Sequence, residues 1–269
     1  MAKKLGTDLS SVAWVPRDRL RIEVQSRPIR WSGDWERRVD AFWHDEIKPV
    51  SPQFFRGPVL AACQVHVGTT VCVTAAFTDY AHFLYARRHP SGLPEMAIRP
   101  IFAAALPILD DGSLVICKMS SRTERPGRLQ CIGGTAIPSD VKDAMFCAEV
   151  SASREMLEEI GVDRHDEILR ERGAVGATVD PHGGVAVVVA YDVLRPWSDF
   201  QARIEAFLDV ERAHGRTTEL EGILAIPWGE RGMARLHALG DVGPRYLRRL
   251  LTAEELCLGR ARSTGMMAE

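Results

Sequence analysis

The chain lacks a paired-cysteine motif, an apolar export leader, a bilayer-length hydrophobic run, an internal repeat and a strong net charge. Each absence removes a class of function. The six cysteines (Cys63, Cys72, Cys117, Cys131, Cys147 and Cys257) include no C-x-x-C pair. They read as free thiols of a reducing compartment rather than as a zinc or dithiol centre. The stretch Met1 to Asp8 has no apolar core, so no export is expected and the cytoplasm is the expected location. Runs such as Ile101 to Leu109 fall far short of the roughly 20 apolar residues that a helix needs to span a bilayer. A formal net charge of −2 gives no global basic field for nucleic acid or an anionic membrane. No helix-turn-helix or basic recognition surface is evident either. The expected partner is therefore a small molecule.

What is present suits an ordinary soluble globular protein. Of the 269 residues, 46% are hydrophobic and 26% charged, enough for one large core or two modest ones. Ser32 is a good N-cap for a helix running to about Lys48, with Trp35, Val39, Phe42 and Trp43 at helical spacing and Pro49 as its stop. Strand-like runs Pro58–His66 and Thr69–Phe77 flank a turn at Val67-Gly68, and a short helix is expected over Asp79–Arg88. The turn-rich segment His89 to Pro94 sets a boundary between an N-terminal α+β extension (1–94) and a second domain (95–269). There, strands Arg99–Leu109 and Leu114–Lys118 flank the turn Asp110-Asp111-Gly112-Ser113, and a short run Leu129–Ile132 ends at Gly133-Gly134. A long helix is expected over Ser139–Ile160, then strands Gly173–Val179 and Val185–Val193, a helix Trp197–His214, a strand Ile223–Ile226 and closing helices. Alternating helices and strands place the chain in the α/β class.

Arg154-Glu155-Met156-Leu157-Glu158-Glu159-Ile160-Gly161-Val162 carries the chemistry. Helical steps of about 100° bring Glu155, Glu158 and Glu159 to one face, with Met156, Leu157 and Ile160 turned toward a core. Like charges at such spacings repel. A solvated acidic face is the bland explanation; a hard divalent cation, which favours oxygen ligands, is the functional one. Arg154 is placed to orient a carboxylate, and the Gly133-Gly134 pair lets backbone approach a ligand closely.

This stretch resembles the second half of the Nudix box, R-E-U-x-E-E-x-G-U with U apolar, and agrees with it at every defined position. Gly134 resembles the opening glycine of that box, with Cys131-Ile132-Gly133-Gly134 as the entry from strand to loop. The spacing departs from the family's G-x5-E-x7-R-E. Asp140 replaces Glu six positions after Gly134, and Arg154 follows fourteen after Asp140 instead of eight, so six residues are extra. They lengthen either the start of the helix or the loop before it, and Asp140 or Ser139 is the candidate N-cap. The resemblance implies a Nudix-type α/β/α sandwich with a mixed sheet, behind a small α+β N-terminal domain. It implies Mg²⁺, or Mn²⁺ in its place, held by Glu155, Glu158, Glu159 and Gly134, and a catalytic group of Glu155, Glu158 and Arg154. Gly161 is expected to be a C-cap.

Further candidates are Glu219, an acid ahead of the last strand, with Glu221 nearby, and the basic residues Lys118, Arg122, Arg125 and Arg128 before the box. Among these Arg122, Arg128 and Glu219 are the candidate substrate contacts. His182 reads as a turn residue and Glu149 as no ligand, since it points about 120° from Glu155. Phe54-Phe55-Arg56-Gly57-Pro58-Val59-Leu60 and Phe77 to Leu84 resemble the N-terminal region of the superfamily's nucleotide-sugar (UDP-sugar type) diphosphatases, which have asparagine-glycine where Arg56-Gly57 stands. The expected activity is therefore Mg²⁺-dependent hydrolysis of a diphosphate linkage in a nucleoside diphosphate derivative, foremost a nucleotide sugar. A non-catalytic nucleotide-binding Nudix module and a Nudix-fold enzyme of prenyl diphosphates are the alternatives. The resemblance also allows a homodimer.

Overall fold

The computed structural model describes residues 13–89, 98–179, 184–216, 218–240, 243, 245–253 and 256. Its strands are β1 (Ala13–Pro16), β2 (Leu20–Val24), β3 (Pro58–Val67), β4 (Val71–Asp79), β5 (Ile101–Ile108), β6 (Leu114–Met119), β7 (Leu129–Gln130), β8 (Val141–Lys142), β9 (Met145–Phe146), β10 (Leu169–Val179), β11 (Val185–Val193) and β12 (Leu220–Ile226). Its helices are α1 (Gly33–Phe42), α2 (Tyr80–Arg88), α3 (Ala148–Ile160), α4 (Trp197–Ala213), α5 (Glu230–Ala238) and α6 (Arg245–Leu251).

The main sheet runs β1-β10-β11-β5-β6-β12, with β7 beside β6. It is mixed, because β11 lies parallel to β5 while the other pairings are antiparallel. Every residue of β11 is buried, which explains a continuous apolar run in place of alternation. The pleat of β5 divides two cores. Ile101, Ala103 and Ala105 join Met156 and Ile160 of α3 and Phe200, Ile204 and Leu208 of α4. Ala104, Leu106 and Ile108 join Leu236 of α5 and Leu247, Leu250 and Leu251 of α6. Helices on both faces of a mixed sheet make the expected α/β/α sandwich.

A second sheet, β3-β4-β2-β9-β8, adds Leu20, Ile22, Leu60, Val73 and Ala75 to the α3 side of the core. Beside it α1, a wider π-helical turn Trp43–Ile47 and α2 enclose Trp35, Val39, Phe42, Ile47 and Leu84. The Ser32 hydroxyl caps α1 by accepting from the Trp35 N–H, as its position ahead of the apolar periodicity predicts.

The segments are interleaved. β1 pairs with β10 of the main sheet, while β9 pairs with β2 of the second sheet. The expected boundary between residues 94 and 95 lies outside the described residues. One expectation fails clearly. The helix predicted over Ser139–Ile160 begins only at Ala148, and residues 138–146 form a short turn and the β8–β9 hairpin. Asp143 and Ala144 take φ of 50° and 58° at its tip, as a tight two-residue hairpin turn requires. The six extra residues therefore build a strand pair that docks on β2, fastened by the Val24 N–H donating to the Ala144 carbonyl at 2.8 Å.

Asp79 anchors the N-terminal layer. It caps α2, accepting from the His82 N–H at 2.9 Å, contacts His82 Nδ1 at 2.8 Å and pairs with Arg56 at 2.7 Å. Burial alone would raise its pKa, but the His82 and Arg56 contacts outweigh it and hold the carboxyl at about 2. A depressed carboxyl stabilises the fold above its unfolded pKa, and that stability is lost as pH falls toward 2. Asp79→Asn is therefore expected to cost on the order of 1–2 kcal/mol at pH 7. Urea denaturation across pH 2 to 7 should show this difference shrinking below pH 4; a difference independent of pH would contradict the assignment.

Candidate active site

Two backbone segments meet at the site. The strand-to-loop segment 131–135 lies against β5, with the Ala105 N–H donating to the Ile132 carbonyl at 2.8 Å and Thr135 bridging Phe102. Helix α3 stands behind it. Gly133 has φ +149°, and a Cβ there would meet the Ala103 carbonyl oxygen at 2.2 Å. Gly134 has a different neighbour: a Cβ there would lie 2.6 Å from one Glu155 oxygen and 2.7 Å from the other, so the carboxylate would have to move aside. The main chain thus passes against the Glu155 carboxylate. The Gly133 N–H donates to Glu159 Oε2 at 3.1 Å, tying the same loop to the next turn of the helix.

Arg154 is the hub. Its guanidinium contacts Asp140 at 3.0 Å, Glu155 at 2.8 Å and Glu158 at 3.0 Å, and donates to the Thr135 carbonyl at 3.2 Å. Asp140 is 1% exposed. Its carboxylate also accepts from the Ile137 N–H at 3.0 Å. The expected role of Asp140 or Ser139 as N-cap of the acidic helix is thus corrected. The cap residue of α3 is Cys147, and Asp140 is the buried partner of Arg154. Burial alone would lower the pKa of Arg154, but Asp140, Glu155 and Glu158 around it raise it instead.

The carboxylates share one field. Glu155, 7% exposed, is pushed up to about 7, first by burial, against the attraction of Arg154 and with Glu158 and Glu219 adding to the rise. Burial, Glu155 and Glu219 push Glu159 well above its usual range. Glu219 is raised by burial and by Glu158. Glu219 thus lies within the electrostatic field of the helix glutamates. Glu221 pairs with Lys118 at 2.7 Å, and Glu149 accepts from the Ala174 N–H at 3.1 Å. Met156 and Ile160 face the core as expected, whereas Leu157 is 51% exposed; its position on the helix leaves it outside the sheet contact. Gly161 closes α3 at φ 65°, the left-handed C-cap expected of it.

Of the basic candidates, Arg122 and Arg125 are exposed and Arg128 is half-buried. Arg128 lies in the field of Tyr246, Arg87 and Glu124 rather than of the glutamates. His182 lies outside the described residues. Tyr80, which stands 139 positions from Glu219 in the chain, is pushed up to about 12 by burial first, with Glu124 and Glu219 adding to the rise and Arg87 opposing it.

The donor set suits a hard divalent cation: it is all oxygen, and its crowded carboxylates are offset by one guanidinium. The glutamates turn onto Arg154 and Gly133 rather than onto a common point, and among the described residues no three His, Cys, Asp or Glu side chains converge as a finished metal cage. A cation would therefore be taken up by rotating side chains already anchored on one helix.

Two predictions separate charge from shape. In metal-free protein, Glu155 carries a folded pKa near 7, so the penalty for its charged form is absent below about pH 4.5 and grows as pH rises through 7. Glu155→Gln is expected to raise unfolding stability by on the order of 1–2 kcal/mol at pH 8 and to change nothing at pH 4. Equal shifts at both pH values would refute the cause. Gly133→Ala should lower the melting temperature by several degrees, because the obstacle is backbone. Gly134→Ala should keep the fold and weaken Mn²⁺ binding, read by electron paramagnetic resonance; unchanged Mn²⁺ affinity would show that the loop does not border a metal site.

No family model matches the chain, and no curated protein matches it. Among solved structures, similarity is found to a NUDIX hydrolase from Nitrosomonas europaea, with 15% identity and a TM-score of 0.36 over 60% of this chain and 90% of that one. A bifunctional NMN adenylyltransferase/ADP ribose pyrophosphatase from Francisella tularensis gives 10% identity and a TM-score of 0.38 over 64% and 45%. The NUDIX domain of Shewanella oneidensis NrtR, solved with ADP ribose, gives 12% and 0.29 over 56% and 86%. At TM-scores below 0.5 the likeness decides neither fold nor chemistry; the residues themselves must.

Proposed function

We propose that this chain is a Nudix-type hydrolase that adds water across the P–O–P bridge of a small diphosphate, giving two phosphoryl-bearing fragments. The observation that carries this reading is the joining of the R-E-M-L-E-E-I-G-V half of the box to a carboxylate cluster packed against Gly134. Glu155, Glu158 and Glu159, with the Gly134 carbonyl, are the proposed ligands of Mg²⁺ or Mn²⁺. Such an ion, when bound, polarises a phosphoryl oxygen and lowers the pKa of water. The chain's own residues do the rest. Arg154 orients Glu155 and Glu158, Asp140 holds Arg154, and the Gly133 N–H positions Glu159. Glu219, whose carboxyl is raised by burial and by Glu158, is the proposed proton acceptor toward an incoming water. Glu155, with a pKa near 7, is poised to exchange a proton at neutral pH when no cation sits beside it.

For the substrate we propose a nucleoside diphosphate derivative, with nucleotide sugars first. The resemblance of the N-terminal stretches Phe54 to Leu60 and Phe77 to Leu84 to nucleotide-sugar diphosphatases supports this choice. The proposed division is an N-terminal extension over 1–94 and a hydrolase unit over 95–269, with strands exchanged between them.

The test is a hydrolysis panel with and without Mg²⁺, comparing wild type with Glu158→Gln/Glu159→Gln. It spans UDP-sugars, ADP-ribose, NAD, dinucleoside polyphosphates, nucleoside triphosphates, coenzyme A and prenyl diphosphates. Metal-dependent cleavage reduced by at least about a hundredfold in the double variant is expected. A panel left intact by metal-loaded wild type would sink the hydrolase reading and favour a binding module. A rearranged, unhydrolysed diphosphate would favour the prenyl alternative.

A further inference from the structure

Six residues, Val141 to Phe146, leave and rejoin the box at one point. The Cys147 N–H donates to the Asp140 carbonyl at 2.9 Å, and Val141 is paired with Phe146 and Lys142 with Met145. Without them Asp140 would run straight into Cys147, and seven residues (Cys147 to Ser153) would separate it from Arg154. That is the spacing of the pattern G-x5-E-x7-R-E, with Asp140 in the place of its first glutamate. The box is therefore continuous in space and interrupted only along the chain.

A longer flexible loop costs more entropy to close, so the insertion needs something to hold its ends together. The hairpin alone is too slight. Its strands have two residues each, and Asp143 and Ala144 turn at positive φ without a glycine; such a hairpin needs a third strand. Strand β2 is that strand. Glu23 is paired with Met145, and the Val24 N–H donates to the Ala144 carbonyl at 2.8 Å. Phe146 is the apolar anchor. It is 8% exposed and borders the same small cavity as Leu20 and Ile22 of β2, Ala148 of α3 and Val187 of β11. At the root of the hairpin both Asp140 oxygens face Arg154, Oδ2 at 3.0 Å from Nη2 and Oδ1 at 3.4 Å from Nε. The same Oδ2 accepts from the Ile137 N–H at 3.0 Å. A continuous set of contacts thus runs from β2 through the hairpin and Asp140 to the guanidinium that touches Glu155 and Glu158.

We propose that Phe146 and the hairpin it anchors are positioning elements of the acidic cluster. Docking on β2 takes over the task of a short loop and fixes Asp140 under Arg154, so the N-terminal layer sets how readily Glu155 and Glu158 are released to a divalent cation. None of the hairpin residues touches the cation. Asp140 occupies two of the forked donors of Arg154. With Asp140 displaced, those donors turn to Glu155 and Glu158, and the charge-assisted bonds hold both glutamates back from the cation. The effect on cation uptake rests on the proposed metal site; the fixing of Asp140 by β2 does not.

The test combines hydrogen exchange of the metal-free full chain with Mn²⁺ titration read by electron paramagnetic resonance. The variants are Phe146→Ala, Asp140→Asn, the two together, and a chain with Asp140 joined directly to Cys147. In Phe146→Ala the Ile137 and Gly133 amides, which donate to Asp140 and Glu159, are expected to exchange at least about tenfold faster while the amides of β11 keep their protection. Mn²⁺ affinity is expected to fall at least about fivefold in Phe146→Ala and in Asp140→Asn, and no further in the double variant, because both changes act through one contact. The directly joined chain is expected to bind Mn²⁺ more tightly than Phe146→Ala, since a short loop needs no docking. A hairpin that only stabilises the fold would make its complete removal the worse change. Unchanged exchange at Ile137 in Phe146→Ala, losses that add in the double variant, or a folded joined chain that binds no better than Phe146→Ala would each overturn the proposal. If the joined chain does not fold, exchange and the double variant decide. A wild type that takes up no Mn²⁺, with Ile137 exchange still responding to Phe146→Ala, would remove the metal site and leave the coupling of β2 to Asp140 standing.

Discussion

The site depends on one buried ion pair, Arg154 with Asp140. Helix α3 presents glutamates that repel one another, and Arg154 is the cation placed among them. An arginine on an exposed helix would roam over several rotamers. Here Asp140, itself buried, fixes the guanidinium from below and leaves its remaining donors for Glu155, Glu158 and the Thr135 carbonyl. A buried pair of this kind is weak evidence for stability, because desolvation offsets attraction. Its value lies in register: it sets where the helix stands relative to the glycine loop, and Gly134 and Glu155 must then pack at contact distance.

That register reaches the second sheet. Asp140 ends the short turn that leads directly into β8, and the β8–β9 hairpin docks on β2. The Cys147 N–H donates to the Asp140 carbonyl at 2.9 Å, so the chain enters and leaves the hairpin at the same point. The insertion therefore does not loosen the box. It closes on itself and attaches to the N-terminal layer through β2, while β1 crosses the other way into the main sheet. Strands exchanged in both directions make the two segments mechanically interdependent.

Much of this was legible in the residues. The runs of β5 and β11, the turn at Asp110 to Ser113, the Ser32 cap and the glutamates of α3 announce themselves by apolar patterning, turn chemistry or a long motif. The hairpin did not. Val141-Lys142-Asp143-Ala144-Met145-Phe146 lacks the Asn-Gly or Asp-Gly that favours a two-residue turn, and Ala144 takes a positive φ that alanine seldom adopts. Continued helix was the simpler reading of that stretch, and tertiary pairing with β2 overrode it. Asp140 was misread for the same reason, since its partner Arg154 lies beyond the hairpin. Leu157 was misassigned because helix periodicity alone does not say how wide the contacted face is. The Arg87–Glu124 ion pair had no local signal at all; the two residues meet only through the packing of α2 on the β6–β7 connection.

The acidic cluster obeys the same logic. On α3 three glutamates, Glu155, Glu158 and Glu159, are offset by one arginine. That arrangement is not what stability alone would select, since like charges in partly desolvated surroundings raise the free energy of the fold. The N-terminal layer has a structural reason to be interleaved with the sandwich. Its strand β2 pairs with β9 of the hairpin that begins at Asp140, the residue that holds Arg154. A layer that braces the partner of Arg154 is part of the site's construction rather than an appendage to it.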